Sequence, residues 1–188
     1  MIGPLQEAPV SDGFEQAKAQ RNWLERLQEK IPGFRGFQDR ELRRDVDKLQ
    51  REHMSAEVTR IKARLRELAG DYTDAGRIGV LDVFERIDRA LDALSQDVRH
   101  SDYGVSGLFA PEKIDEAKLA RLYEFDLELL DDLDALEADM ARIPAPGAAP
   151  ADASSAEDAL RATLDRVRAI QEKWRRREQV ISDVVQSA

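Results

Sequence analysis

Along most of the chain, apolar residues return every three or four positions, and the stretches between these runs are rich in glycine, proline and aromatic residues. Steps of three and four place side chains on one face of an α-helix, whereas a half-buried strand needs strict alternation. No segment shows that alternation, because most Val and Ile residues fall within the helical rhythm. The cleanest run is Val80, Phe84, Ile87, Leu91, Leu94 and Val98. Its heptad-like spacing predicts a helix packed against another helix.

The same reading gives five helices. The first begins near Ser11 or Asp12, either of which suits an N-cap, and runs to Lys30. Its inward residues include Phe14, Leu24, Leu27 and Ile31, and Pro32-Gly33 ends it. The second spans Gln38 to Ala69 on Leu42, Val46, Leu49, His53 or Met54, Val58, Ile61, Leu65 and Leu68, with a change of register near His53. Gly70 and Asp71 are read as its stop, and Thr73 or Asp74 as the start of the third. The fourth runs from Pro111 to Ala141 on Leu119, Leu122, Phe125, Leu129, Leu133, Leu136 and Met140. The fifth begins at Ser154 or Ser155, each followed three residues later by an acid in the manner of a capping box. It continues on Leu160, Leu164, Val167, Ile170, Trp174 and Ile181.

These elements predict an all-α fold, an elongated antiparallel helical bundle with coiled-coil-like packing. Its expected organisation is a flexible N-terminus over 1–12, a helical core over 13–141, a Pro/Ala linker over 142–154 and a C-terminal helix over 155–185. Helices two, three and four form the main layer and helix one crosses them. Helix five is tethered by the linker and docks either on its own chain or on another.

Composition narrows the chemistry. The 188 residues include no cysteine, which removes disulfides, thiolate nucleophiles and sulfur-ligated metal sites. With only His53 and His100, a three-histidine metal site within one chain is impossible. The net charge of −9, from 38 acidic and 29 basic residues, weighs against broad binding to a phosphate backbone. No apolar run approaches the roughly 20 residues that cross a bilayer, and the N-terminus lacks a signal-peptide core. A cytoplasmic setting is expected.

Charge is nevertheless uneven. Between Glu112 and Asp139 there are 11 acidic and 3 basic residues, while residues 30–51 hold seven basic and four acidic ones. Arg166, Arg168, Lys173, Arg175, Arg176 and Arg177 enrich the last helix. These basic residues suit either the acidic face of helix four, within one chain or across a dimer, or an external polyanion, an anionic membrane or a nucleic acid. The first reading accounts for both charge patterns.

Catalytic constellations do not form. Ser101 or Ser106 with His100 lacks a nucleophile elbow, and the glycine-bearing connectors match no phosphate-binding motif. A carboxylate–metal site from Glu41, Asp45, His53 and a helix-four carboxylate is geometrically open, but the Glu-x-x-His elements of di-metal bundles are missing. No catalytic residue, metal ligand or cofactor is assigned.

The segments Ile31-Pro32-Gly33-Phe34-Arg35-Gly36-Phe37, Glu41 to Lys48, Tyr103-Gly104-Val105-Ser106-Gly107-Leu108-Phe109 and Leu122 to Asp126 resemble a family of small bacterial all-helical proteins. The resemblance covers roughly residues 25–135 and implies a bacterial source and a shared helical core. It transfers no reaction or ligand, and Phe34 and Phe37 stand where the family pattern has tyrosine. The function expected is protein interaction or scaffolding as a homodimer. Its contact residues are Phe34, Phe37, Tyr103 and Phe109 in the two Gly/aromatic connectors, and Arg175, Arg176 and Arg177 in the last helix. A peripheral membrane or nucleic-acid module and a carboxylate–metal bundle are the alternatives.

Overall fold

The computed structural model describes residues 25–31, 40–101, 116–147 and 151–186, with side chains placed for 25–31, 47–101, 120–147 and 155–183. These residues are all-α, 92% helical and without a strand. Helix α1 occupies residues 25–30, α2 Arg40–Asp74, α3 Leu81–His100, α4 Glu116–Ala141 and α5 Ala151–Gln186, with a 3₁₀ turn at Ile78–Val80 before α3. At 1.5 Å per residue, the 36 residues of α5 extend about 54 Å.

The order of the ion pairs between helices gives their directions. Lys62 and Arg66 of α2 both reach Asp88 of α3, and Arg99 reaches back to Ser55, so α2 and α3 are antiparallel. On α4 and α5, Asp139 meets Arg166, Asp132 meets Lys173 and Asp126 meets Arg177, which is again antiparallel. Helix α5 packs against both α3 and α4, while α2 touches α3 and, more lightly, α4. The four long helices therefore run in the cyclic order α2, α3, α5, α4. Helices α3 and α4, neighbours in sequence, stand across the bundle from each other. The expected layer of helices two, three and four is corrected by this order: α5 takes the seat between α3 and α4 on its own chain.

The core follows the sequence periodicity closely. Val58, Ile61 and Leu65 of α2, Ile87, Leu91 and Leu94 of α3, Leu129 and Leu136 of α4, and Leu160 and Val167 of α5 are all at most 2% exposed. Burying a Leu or Ile of this kind contributes about 1.5–3 kcal/mol. Met54, not His53, fills the α2 seat at the register change. Helix α4 buries a broader face than its single stripe suggested, adding Tyr123, Leu127 and Leu130, because it is packed from several sides. Arg26 and Lys30 of α1 pair with Asp131 at 2.8 and 3.0 Å, and Leu27 and Ile31 are fully buried.

Helix boundaries depart from expectation in three places. Helix α2 passes through Gly70 and ends at Asp74, where the Gly76 N–H donates to the Thr73 carbonyl (2.9 Å) and the Arg77 N–H to the Tyr72 carbonyl (2.8 Å). That reversal needs the left-handed φ of +69° at Gly76. The terminating glycine is thus Gly76, and Thr73 and Asp74 belong to α2, not to the start of α3. Helix α5 begins at Ala151, so Ser154 and Ser155 sit inside it and form no N-cap. The alanines at 151 and 153 are strong helix formers and carry the helix upstream of the serines. The first residues of the Pro/Ala connection are anchored: the Tyr72 hydroxyl donates to the Pro144 carbonyl (2.6 Å) and Arg77 Nε to that of Pro146 (3.3 Å). The expected helix starts at Ser11 or Asp12 and at Pro111 lie outside the described residues.

Candidate functional site

Three consecutive arginines on a helix point in three directions, about 100° apart. Arg175 and Arg176 are exposed, and Arg175 Nε donates to Asp97 of α3 (3.1 Å) while Arg176 pairs with Glu172 (3.1 Å). Arg177 is only 3% exposed and lies inside the bundle. Its expected role as an external contact is corrected: the guanidinium is already occupied within the chain. Phe34, Phe37, Tyr103 and Phe109 lie outside the described residues.

Arg177 is the centre of a buried charge cluster drawn from three helices. Its Nε donates to Asp126 Oδ1 (2.7 Å), and its Nη2 donates to Asp126 Oδ2 and to Asp47 Oδ1, both at 3.0 Å. The Asp126 contact is the two-pronged fork that a planar guanidinium makes with a carboxylate. Asp47 also accepts a bond from Arg51 Nε (2.9 Å). The Trp174 ring lies under Arg177, 5.1 Å from the guanidinium carbon. Two carboxylates thus face two guanidinium groups, and the cluster is close to neutral.

Burial and pairing act in opposite directions here. Burial drives the Asp126 pKa upward, and the bonds and charge of Arg177 offset this only in part. For Arg177, burial alone favours the neutral form, but the Asp126 and Asp47 carboxylates outweigh it and hold the guanidinium charged. Gln50, 1% exposed, lies near enough to Asp126 to favour its charged form, although its Nε2 completes no well-shaped hydrogen bond. The arrangement fastens α5 to α2 and α4. Its groups are turned to one another, away from any external ligand.

The periodicity contained the signal for this cluster. In α4, the steps Leu122, Asp126, Leu129, Leu133, Leu136 and Met140 form a seam with Asp126 in a core seat. In α5, Trp174, Arg177 and Ile181 do the same. Phe125, expected in the α4 seam, is half-buried and sits beneath Lys173, whose Nζ is 5.9 Å from the ring centre.

The remaining basic residues on the α4 side of α5 also stay within the chain. Lys173 pairs with Glu128 (3.0 Å) and Asp132 (2.9 Å), and Arg166 pairs with Asp139. From α2, Arg60 pairs with Glu137 at 2.6 Å. The acidic face of α4 is therefore met within the chain by cations from α1, α2 and α5. Arg168, Arg175 and Arg176 pair elsewhere, with Asp165, with Asp97 of α3 and with Glu172.

Away from its buried seam, α5 carries a second seam of Asp158, Arg161, Asp165, Arg168, Glu172 and Arg175, the last of which leans towards α3 in its bond to Asp97. The intervals are again three and four, every one of these residues is exposed, and the sign changes at each step. Ala162 and Ala169, also exposed, line one flank. An open groove of about 780 Å³ runs beside them between α4 and α5, with Phe125 and Ile170 in its wall.

His53 is half-buried, and His100 is exposed with Nε2 3.0 Å from Gln96 Oε1. Glu41 and Asp45 lie where side chains are not described, and no group of three metal-binding side chains occurs among those that are. No described helix is long and apolar enough to cross a membrane. No protein-family model, curated protein or solved structure matches the chain.

Proposed function

We propose that this chain is a non-enzymatic protein-interaction or scaffolding bundle that works as a homodimer in the cytoplasm, and that α5 supplies its docking surface. The observation that carries this reading is the outward seam of α5, where six exposed charges of alternating sign hold a regular helical register. The buried Arg177 cluster fastens α5 to α2 and α4 just past the end of that seam, and a packed helix with an ordered outward charge pattern selects partners by electrostatic complementarity. The resemblance to small bacterial helical proteins supports a bacterial setting. Alternation of sign speaks against a polyanion as the partner, because every basic residue on the seam is followed or preceded by an acid.

The absence of native cysteine allows a clean test. Ala169→Cys, carrying a thiol-linked photo-crosslinker, places a reporter beside the seam without touching its charges. Irradiation in the native cytosolic extract is expected to yield covalent adducts with protein, whether the same chain or another. Adducts to nucleic acid or lipid, or no adduct at all, overturn the reading.

A further inference from the structure

We infer that the outward seam of α5 binds the same seam of a second copy of this chain, antiparallel, about a two-fold axis passing between residues 166 and 167. This deepens the interaction reading above and rests on it. In that register Asp158 faces Arg175 of the other copy, Arg161 faces Glu172, and Asp165 faces Arg168. The symmetry doubles each contact, so all six charges on each copy meet a partner of opposite sign. A parallel pairing in register sets Asp against Asp and Arg against Arg, which repels. The charge sequence therefore specifies one orientation.

Other features of α5 agree with this occupant. All six seam residues are exposed. Arg161 pairs with Glu157 and Arg168 with Asp165 (3.5 Å) on the surface of α5 itself, contacts that rearrange at little cost. Arg175 exchanges its bond to the half-buried Asp97 of α3 for one to Asp158 of the second copy. Ala162 and Ala169 remove bulk along one flank and let two helices approach. The inner seam is anchored by Trp174 and by Arg177 in its carboxylate fork, so the outer seam is presented without disturbing the core. The partner surface is charged and largely free of large apolar groups, so the association is salt-sensitive.

The test uses two variants of the full chain. Arg161→Glu/Arg168→Glu/Arg175→Glu makes the seam wholly acidic, and Asp158→Lys/Asp165→Lys/Glu172→Lys makes it wholly basic. Light scattering of the unaltered chain at about 0.1 M salt is expected to show a dimer whose dissociation constant rises about tenfold or more at about 1 M salt, where the screening length falls to roughly 3 Å. Each variant alone is expected to be a monomer with unchanged helical circular dichroism, and the two mixed are expected to form a one-to-one heterodimer. A dimer that persists in both variants, or variants that fail to pair on mixing, overturns the inference. A chain that stays monomeric at low salt also overturns it. If Ala169 then crosslinks to a different protein, the broader interaction reading survives, and if it crosslinks to no protein, both fall.

Discussion

Arg177 carries more of the fold than its place in a run of three arginines suggests. Removing it leaves Asp47, 4% exposed, and Asp126, fully buried, facing each other without their shared cation. Arg177→Met is therefore expected to lower the unfolding free energy by about 3–5 kcal/mol, measured by urea denaturation. Adding Asp126→Leu and Asp47→Asn removes the stranded charges and keeps an acceptor for Arg51. The triple variant is expected to recover most of the loss, and recovery of none would mean that the arginine's packing, not its charge balance, dominates. The pH response follows from Asp126. Its folded pKa lies above the unfolded value because burial opposes its charge, so the folded state binds this proton more tightly. Stability from this residue is accordingly gained as pH falls through the raised pKa towards the ordinary carboxylate value. Asp126→Asn lacks that gain, so the stability of the natural chain relative to the variant is expected to increase between pH 7 and pH 4. A difference that shrinks on acidification contradicts the assignment. Asp126 and Arg177 stood in the sequence at seam positions of α4 and α5, where the charged letters masked seats that their spacing marked as internal. Asp47, in contrast, lay beside the Val46 and Leu49 of the expected α2 stripe and carried no such mark.

Among the elements, the position of α2's end separates two glycines that look alike in the sequence. Gly70 lies inside the helix with open space where a Cβ would go, whereas Gly76 holds a positive φ in the terminating turn. Gly70→Ala is expected to raise stability by about 0.5–1 kcal/mol through the higher helix propensity of alanine. Gly76→Ala is expected to cost about 1–2 kcal/mol, because a side chain is strained in the left-handed region. Thermal unfolding of both variants checks the pair, and equal shifts would refute the boundary. Existence and type of α2 to α5 were legible because each carries several turns of regular apolar spacing. Ends were less so: which glycine stops a helix depends on the hydrogen bonds of the turn, and Tyr72 and Arg77 help to place this one by anchoring the carbonyls of Pro144 and Pro146.

For the whole molecule, periodicity shows that a helix has a buried face but not which helix covers it. That is why the seat of α5 between α3 and α4 was hidden, although the complementary charges of α4 and α5 were visible as opposed blocks. The same helix joins the two halves of the picture, with one seam closing the core and the other turned outward. Thiol labelling of the cysteine-free chain at high salt tests this arrangement most directly. Val167→Cys places the probe on the inner seam, at a position 0% exposed, and Ala169→Cys places it two residues away on the exposed side. Position 169 is expected to react at the rate of an unfolded peptide and position 167 about a thousandfold more slowly or less, limited by opening of the bundle. Similar rates at the two positions would contradict it, since α5 would then not be packed with one face inside its own chain.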